Sequence, residues 1–266
     1  MKKRLIALLL LCICFLCACN RDSEETVTAD LTKDVLKLAD GKSIDQLNYF
    51  NRTVYQLEDG TELLSVQAPS GPNNVYVGGI ESFDDLGEAA QAQVLSYYNN
   101  QSLLYDVNIE LERAYSNYKN AENKSEFSAY FLSQNIAPTS SNKKVMYFLT
   151  SAMLPIEGNH GYEIRLGAAF NRETGEHIGN WELFSCTEEE AKQAMLDIAG
   201  IIDPVLRAEM EAAFKPEQII LFTDHLEISF GEGTLPSQVQ STLLALDFED
   251  DLCEILNEWS IPKRTE

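Results

Sequence analysis

Three histidines could carry acid–base or metal chemistry in this chain: His160, His177 and His225. None has a second histidine one helical turn away, so HExxH and HxxxH pairs are absent. A zinc site would have to be gathered from scattered residues. The sequence holds no GxSxG elbow, no GxxxxGK[ST] loop, no GxGxxG turn and no EF-hand loop. A wall-acting enzyme would need acids converging on a cleft, and Asn159, His160 and Glu163 are the nearest approach to that pattern. They are the ligand-surface candidates of this chain, although Gly158 and Gly161 also read His160 as a turn residue between strands. Two acidic runs, Glu188-Glu189-Glu190 and Glu249-Asp250-Asp251, fall in first turns of predicted helices, where the macrodipole favours them without a cation. The carboxylate pair of a glycosidase is a separation in space and cannot be read from spacing. No catalytic site, metal or cofactor is therefore expected.

Ser82-Phe83-Asp84-Asp85 looks like the aspartate motif of polysaccharide deacetylases, whose acids serve as base and metal ligand. The histidine pair that completes such a site is missing, and capping accounts for the segment, with Ser82 as N-cap and Asp85 at the third helical position.

The six cysteines divide by position. Lys2, Lys3 and Arg4 precede an uncharged apolar run from Leu5 to Cys19, which is too short for a membrane span of roughly 20 residues. It has the form of a secretory signal peptide. Leu16-Cys17-Ala18-Cys19 resembles the bacterial lipobox, which implies lipidation of Cys19 and cleavage after residue 18. Residues 1–18 are then a lipoprotein signal peptide, and the mature protein is expected on the outer face of the bacterial cytoplasmic membrane. Two or three acyl chains, at about 0.8 kcal/mol per buried methylene, anchor durably. Cys186 and Cys253 remain, either as a disulfide or as two buried thiols. A bridge would close a loop of about 67 residues, worth roughly 4 kcal/mol in the chain-entropy model.

The elements that must position these groups follow from periodicity. Residues 19–40 read as an acidic tether with a weak helical stripe at Leu31, Val35, Leu36 and Leu38. A single α+β domain is expected over residues 41–262. Val54–Leu57 and Leu63–Val66 flank Asp59-Gly60, a hairpin signal. Val75–Val77 reads as a short strand; helices are expected from Ser82 to about Tyr97 and from Leu103 to Tyr118. Strands follow over Phe127–Ala137 and Asn142–Leu154, with Pro138–Ser141 as the loop between them. Tyr162–Phe170 alternates cleanly, as in an antiparallel sheet backed by helices on one side. The next strand should end near Phe184. Thr187 and Glu190 form a capping box, and the helix they open breaks near Gly200 and Asp203-Pro204 before resuming to Phe214. A hairpin over Ile219–Thr223 and His225–Phe230, a strand at Leu243–Leu246, and a helix from Asp247 to Trp259 complete the chain.

Composition limits the partners. The 266 residues carry 42 acids and 20 bases, and removal of residues 1–18 leaves 17 bases and a net charge of −25 over 248 residues. The 45% apolar fraction is that of a globular chain. Nucleic acid and anionic headgroups would repel it. Acidity concentrates in residues 157–266, with 23 acids against 7 bases. Such a field speeds encounter with cationic proteins and also keeps a domain soluble.

From about residue 83 to 259 the chain resembles the extracytoplasmic domain of lysozyme-sensing anti-sigma factors (RsiV-like), a region also found beside peptidoglycan deacetylase domains. Gly158-Asn159-His160-Gly161 is similar to that family's Gly-Ala-His-Gly stretch. Phe170-Asn171 with Thr174-Gly175, Leu183-Phe184, Phe214, Ile219–Phe222, Leu226 and Phe230 follow its order. The resemblance implies a noncatalytic ligand-binding domain, with lysozyme, another cationic envelope protein or cell-wall glycan as partner. The alternatives are a cell-wall hydrolase or deacetylase accessory protein, and an envelope assembly scaffold.

Overall fold

The computed structural model describes residues 32–67, 83–101, 103–155 and 161–262. The signal peptide, Cys19, Val75–Val77, Ser82, Asn159 and His160 lie outside the described residues.

Eight strands form one sheet in chain order: β1 (Thr32–Lys37), β2 (Ser43–Asn48), β3 (Arg52–Gln56), β4 (Glu62–Gln67), β5 (Tyr130–Ser141), β6 (Val145–Pro155), β7 (Gly161–Asn171) and β8 (His177–Ile178). Every neighbouring pair is antiparallel except β4 with β5, which is parallel. The β3–β4 hairpin closes as its sequence predicts. Gly60 takes φ +87° in the turn, a conformation that other residues adopt at a cost. The Leu57 amide donates to the Thr61 carbonyl at 2.9 Å.

The end of the expected tether is a correction. Residues 32–37 are a strand, paired with β2 from Thr32/Asn48 to Lys37/Ser43. Only Leu36 among them is partly buried, so the ladder holds this strand and side-chain pattern could not reveal it.

The crossover from β4 to β5 carries two helices, α1 (Glu88–Asn99) and α2 (Val107–Asn120). The first was expected to open at Ser82; instead Phe83–Asp85 is a 3-10 turn and the α-helix starts after Gly87. Asp106 caps α2 by accepting the amides of Asn108 (2.8 Å) and Ile109 (3.2 Å). Both helices lie on one face of the sheet. Ala90, Val94 and Tyr98 of α1 pack with Met146, Phe148 and Phe170. Leu111 and Ala114 of α2 pack with Leu132, Ala152 and Leu154. The four β6 residues are all even-numbered, hence on one side of the strand.

Pro138–Ser141, expected as a loop, continue β5, and the ladder shifts register between Pro138 and Ser140. Proline is tolerated at such a bulge, and here also because β4 pairs only with residues 130–132 of β5, leaving Pro138 on a local edge.

The C-terminal elements form a second layer: α3 (Glu188–Ile198), α4 (Pro204–Ala213), a 3-10 turn at Pro216–Gln218, β9 (Ile219–Leu221), β10 (His225–Phe230), β11 (Thr242–Asp247) and α5 (Asp250–Ile255). The three strands form an antiparallel sheet in the order β11-β10-β9. The Thr187–Glu190 capping box is present, and Asp203 caps α4 with Pro204 in its first turn. The last helix is shorter than expected: Asp247 ends β11, and Glu258–Ser260 is a separate 3-10 turn. The strand expected to reach Phe184 is the two-residue β8, followed by a 3-10 turn at Asn180–Leu183.

This layer covers the other face of the large sheet at its far end. Val145, Tyr147 and Ala169 share a core with Met195, Met210, Ile228, Phe230, Leu246 and Leu252. Burying a side chain such as Phe230 contributes about 1.5–3 kcal/mol. The alternation along β7 therefore holds at Ala168 and Phe170 toward the helices, while Gly167 and Ala169 are buried beneath the second layer. The architecture is α+β.

Candidate functional site

The two layers meet where β9 crosses β7, and Gly167 makes that approach possible. A Cβ on Gly167 would sit 2.0 Å from the Ile219 carbonyl oxygen, so no side chain fits. Around the contact the buried Asn180 amide donates to the carbonyls of Gly167 (3.2 Å), Pro216 (2.7 Å) and Ile219 (3.2 Å). The Thr139 and Ser140 hydroxyls both donate to the Leu221 carbonyl, at 2.6 and 2.9 Å.

Beside this junction runs a chain of alternating charge. Glu163 pairs with Arg165 at 3.3 Å, and Arg165 pairs with Glu227 of β10 at 2.5 Å. Glu227 reaches His225 Nε2 at 3.3 Å, and Asp224 holds His225 Nδ1 at 2.7 Å. The Phe222 ring stacks on His225, centroids 4.8 Å apart and 6° from parallel, and lies 5.9 Å from the Arg165 guanidinium carbon. Burial alone would lower the His225 pKa, but the hydrogen bonds its ring donates to Asp224 and Glu227 outweigh it and the pKa is raised. Asp224 is correspondingly lowered by its bond to His225.

With carboxylates on both ring nitrogens, protonated His225 is a double donor with no lone pair left to act as a base. Arg165 thus ties β7 to the small sheet through Glu227, and His225 braces Glu227 and Asp224 within the small sheet. Sequence reading identified Glu163 but missed Arg165, Glu227 and His225 as its companions. The joined residues stand 62 positions apart on different sheets, and no local spacing signals their meeting.

A cleft of about 250 Å³ opens next to the network. Tyr162 and Arg165 line it from β7, Lys215 and Glu217 from the turn before β9, and Ser229 and Glu232 from the end of β10 and beyond. Lys215 and Glu217 are exposed, Glu232 is half-buried, and Ser229 is buried. Burial raises the Tyr162 pKa, with Arg113 opposing and Glu110 and Glu232 adding to the rise, so the phenol stays neutral and able to donate at pH 7.

The other sequence candidates resolve into structure. Cys186 and Cys253 are free thiols, each half-buried against the C-terminal core, so the candidate bridge is not formed. Burial, followed by the charge of Glu190, raises the Cys186 pKa. His177 stacks on Tyr97, centroids 4.5 Å apart, and its pKa is lowered by burial. Glu190 accepts the Thr187 amide at 2.9 Å as a cap. Among the described residues no group of three His, Cys, Asp or Glu side chains is placed to hold a metal ion. Among them, too, no helix is long and apolar enough to cross a membrane.

No family model matches this chain, and no curated protein matches it. Two solved structures similar to it are DUF3298 family proteins. One, from Pseudomonas aeruginosa, is 13% identical with a TM-score of 0.35, covering 88% of this chain and 95% of that one. The other, from Bacteroides fragilis, is 10% identical with a TM-score of 0.41, covering 86% of this chain and 92% of that one.

Proposed function

We propose that this chain is an extracytoplasmic lipoprotein, anchored through Cys19, whose α+β domain binds a cationic protein without catalysing a reaction. The cleft between β7 and β10 carries the reading. Arg165 in its wall is clasped by carboxylates, while Glu217 and Glu232 line the opening beside Lys215. At about 250 Å³ it takes one side chain or one sugar ring, so a protein partner would insert a single lysine or arginine. The net −16 of residues 157–266 would steer such a partner inward and lose force with salt. Lysozyme is the first ligand to try, in keeping with the RsiV-like motifs of the sequence.

The test is retention of lysozyme by the purified full-length protein in detergent, at low and at moderate salt. Retention that weakens with salt and falls in Glu217→Gln/Glu232→Gln supports the proposal. Absence of retention at low salt removes lysozyme as the ligand, and retention indifferent to the double change removes the cleft. Turnover of purified peptidoglycan by the protein would refute the noncatalytic reading.

A further inference from the structure

Among the described residues no strand pairs with the outer edge of β11. In the small sheet β11 pairs with β10 alone, from Thr242/Phe230 to Asp247/His225. Just beyond that ladder the Phe248 amide donates to the Asp224 carbonyl. Hydrogen-bonded pairs alternate along an antiparallel ladder, so Leu246, Leu244 and Thr242 bond to β10. The amides and carbonyls of Leu243 and Ala245, and the amide of Asp247, therefore face the outer edge, while the Asp247 carbonyl accepts the Glu249 amide at 2.7 Å. The Phe222 amide, which donates to the His225 carbonyl, fixes the same parity from the β9 side.

The end strands β1 and β11 of the two sheets differ in chemistry. β1, at the edge of the large sheet, carries Lys33, Asp34 and Lys37, charges of the kind that blunt an edge against further pairing. β11 has no charge before Asp247, and the chain from Gly233 to Leu246 has none at all. Leu243 is half-exposed on this strand and Val239 is 88% exposed just ahead of it. Beyond the strand Asp247, Glu249, Asp250 and Asp251 are all exposed. Two copies pairing edge to edge would bring together two halves of net −16 each, which disfavours a second copy as the occupant.

We propose that β11 accepts an extended, basic peptide segment of another protein as a fourth strand of the small sheet. Its backbone would pair with Leu243, Ala245 and Asp247, an apolar side chain would rest on Leu243, and its lysines or arginines would meet the acids after the strand. This surface is distinct from the cleft, and neither proposal depends on the other.

The probe is a short synthetic peptide of alternating valine and threonine with lysines at one end, added to the full-length protein in detergent. Amide hydrogen exchange reads the edge directly. The free protein should exchange fast at Leu243, Ala245 and Asp247 and slowly at Leu244 and Leu246, and the peptide should slow the first three. Ala245→Pro removes an outward amide, a change that edge strands tolerate, and should weaken peptide binding at least about tenfold with the fold intact. Leu243→Lys should do the same through charge. No protection at any peptide concentration overturns the proposal, as does equal binding to Ala245→Pro. Equal binding of a peptide with its lysines changed to glutamines overturns the basic partner. Dimerisation by sedimentation that masks these amides without peptide assigns the edge to a second copy and overturns it as well.

Discussion

Gly167→Ala should be a strongly damaging methyl addition. The new Cβ would lie 2.0 Å from the Ile219 oxygen, 2.9 Å from its carbonyl carbon and 3.0 Å from Ile220 Cα. All three are backbone atoms, so no side chain can swing aside. Ordinary carbon contact is about 3.5 Å, which leaves roughly 1.5 Å for β9 to yield. Overpacking of this kind costs about 1–3 kcal/mol. The movement also stretches the Asn180 amide away from Ile219 or Gly167, at about 1 kcal/mol per bond. The expected loss is therefore about 2–5 kcal/mol, a large part of the 5–15 kcal/mol typical of a domain. Chemical denaturation of the variant measures it, with Gly87→Ala as control, since a Cβ at Gly87 meets nothing within 4 Å. That control carries only the cost of alanine at a helix N-cap and should stay within about 1 kcal/mol of the parent. If Gly167→Ala is equally mild, β9 does not cross β7 as closely as described.

Arg165→Ala takes the arginine from Glu227, whose side chain is 11% exposed, and leaves His225 at 3.3 Å to compensate it, so it should cost about 1–3 kcal/mol in denaturant unfolding. The raised His225 pKa makes its contribution complete below the unfolded value of 6.5 and lost as pH rises through the higher folded value. Stability followed from pH 6 to 9 should accordingly fall relative to His225→Gln over the span just above 6.5. Thr187→Ala removes the N-cap of α3 and should cost about 1 kcal/mol, read as a shift in denaturation midpoint. Cys186 and Cys253 should react slowly with iodoacetamide in the native protein and fully on unfolding without reductant, counted by mass spectrometry.

Features that depend on neighbouring residues were legible in the sequence. The Asp59-Gly60 turn, the Thr187 box, the Asp203-Pro204 cap and the β9–β10 hairpin each draw on a few adjacent side chains and stand where their residues place them. Features made by distant contact were not. β1 exists because β2 pairs with it, and β5 runs through Pro138 because its bulge is fastened by Leu221 more than 80 positions away. The Ser82 signal offered a better cap than Gly87, yet the 3-10 turn at Phe83–Asp85 intervenes and the helix starts where Ala90 can reach the sheet. Of the site, only Glu163 was visible beforehand. Its network needs Gly167 to bring two sheets together, and a lone glycine in a strand announces no partner.

In the large sheet the order of strands in space is the order in the chain, and a single parallel step joins β4 to β5. The mechanical consequence is an unzipping geometry. Tension drawn from the chain ahead of β1 would load the bonds of one strand at a time, so the first meander would peel away at low force. At the parallel step the load must pass through the crossover and its two packed helices before reaching β5. The first four strands are thus a compliant leader, and the stiff body begins at β5, where both faces of the sheet become covered.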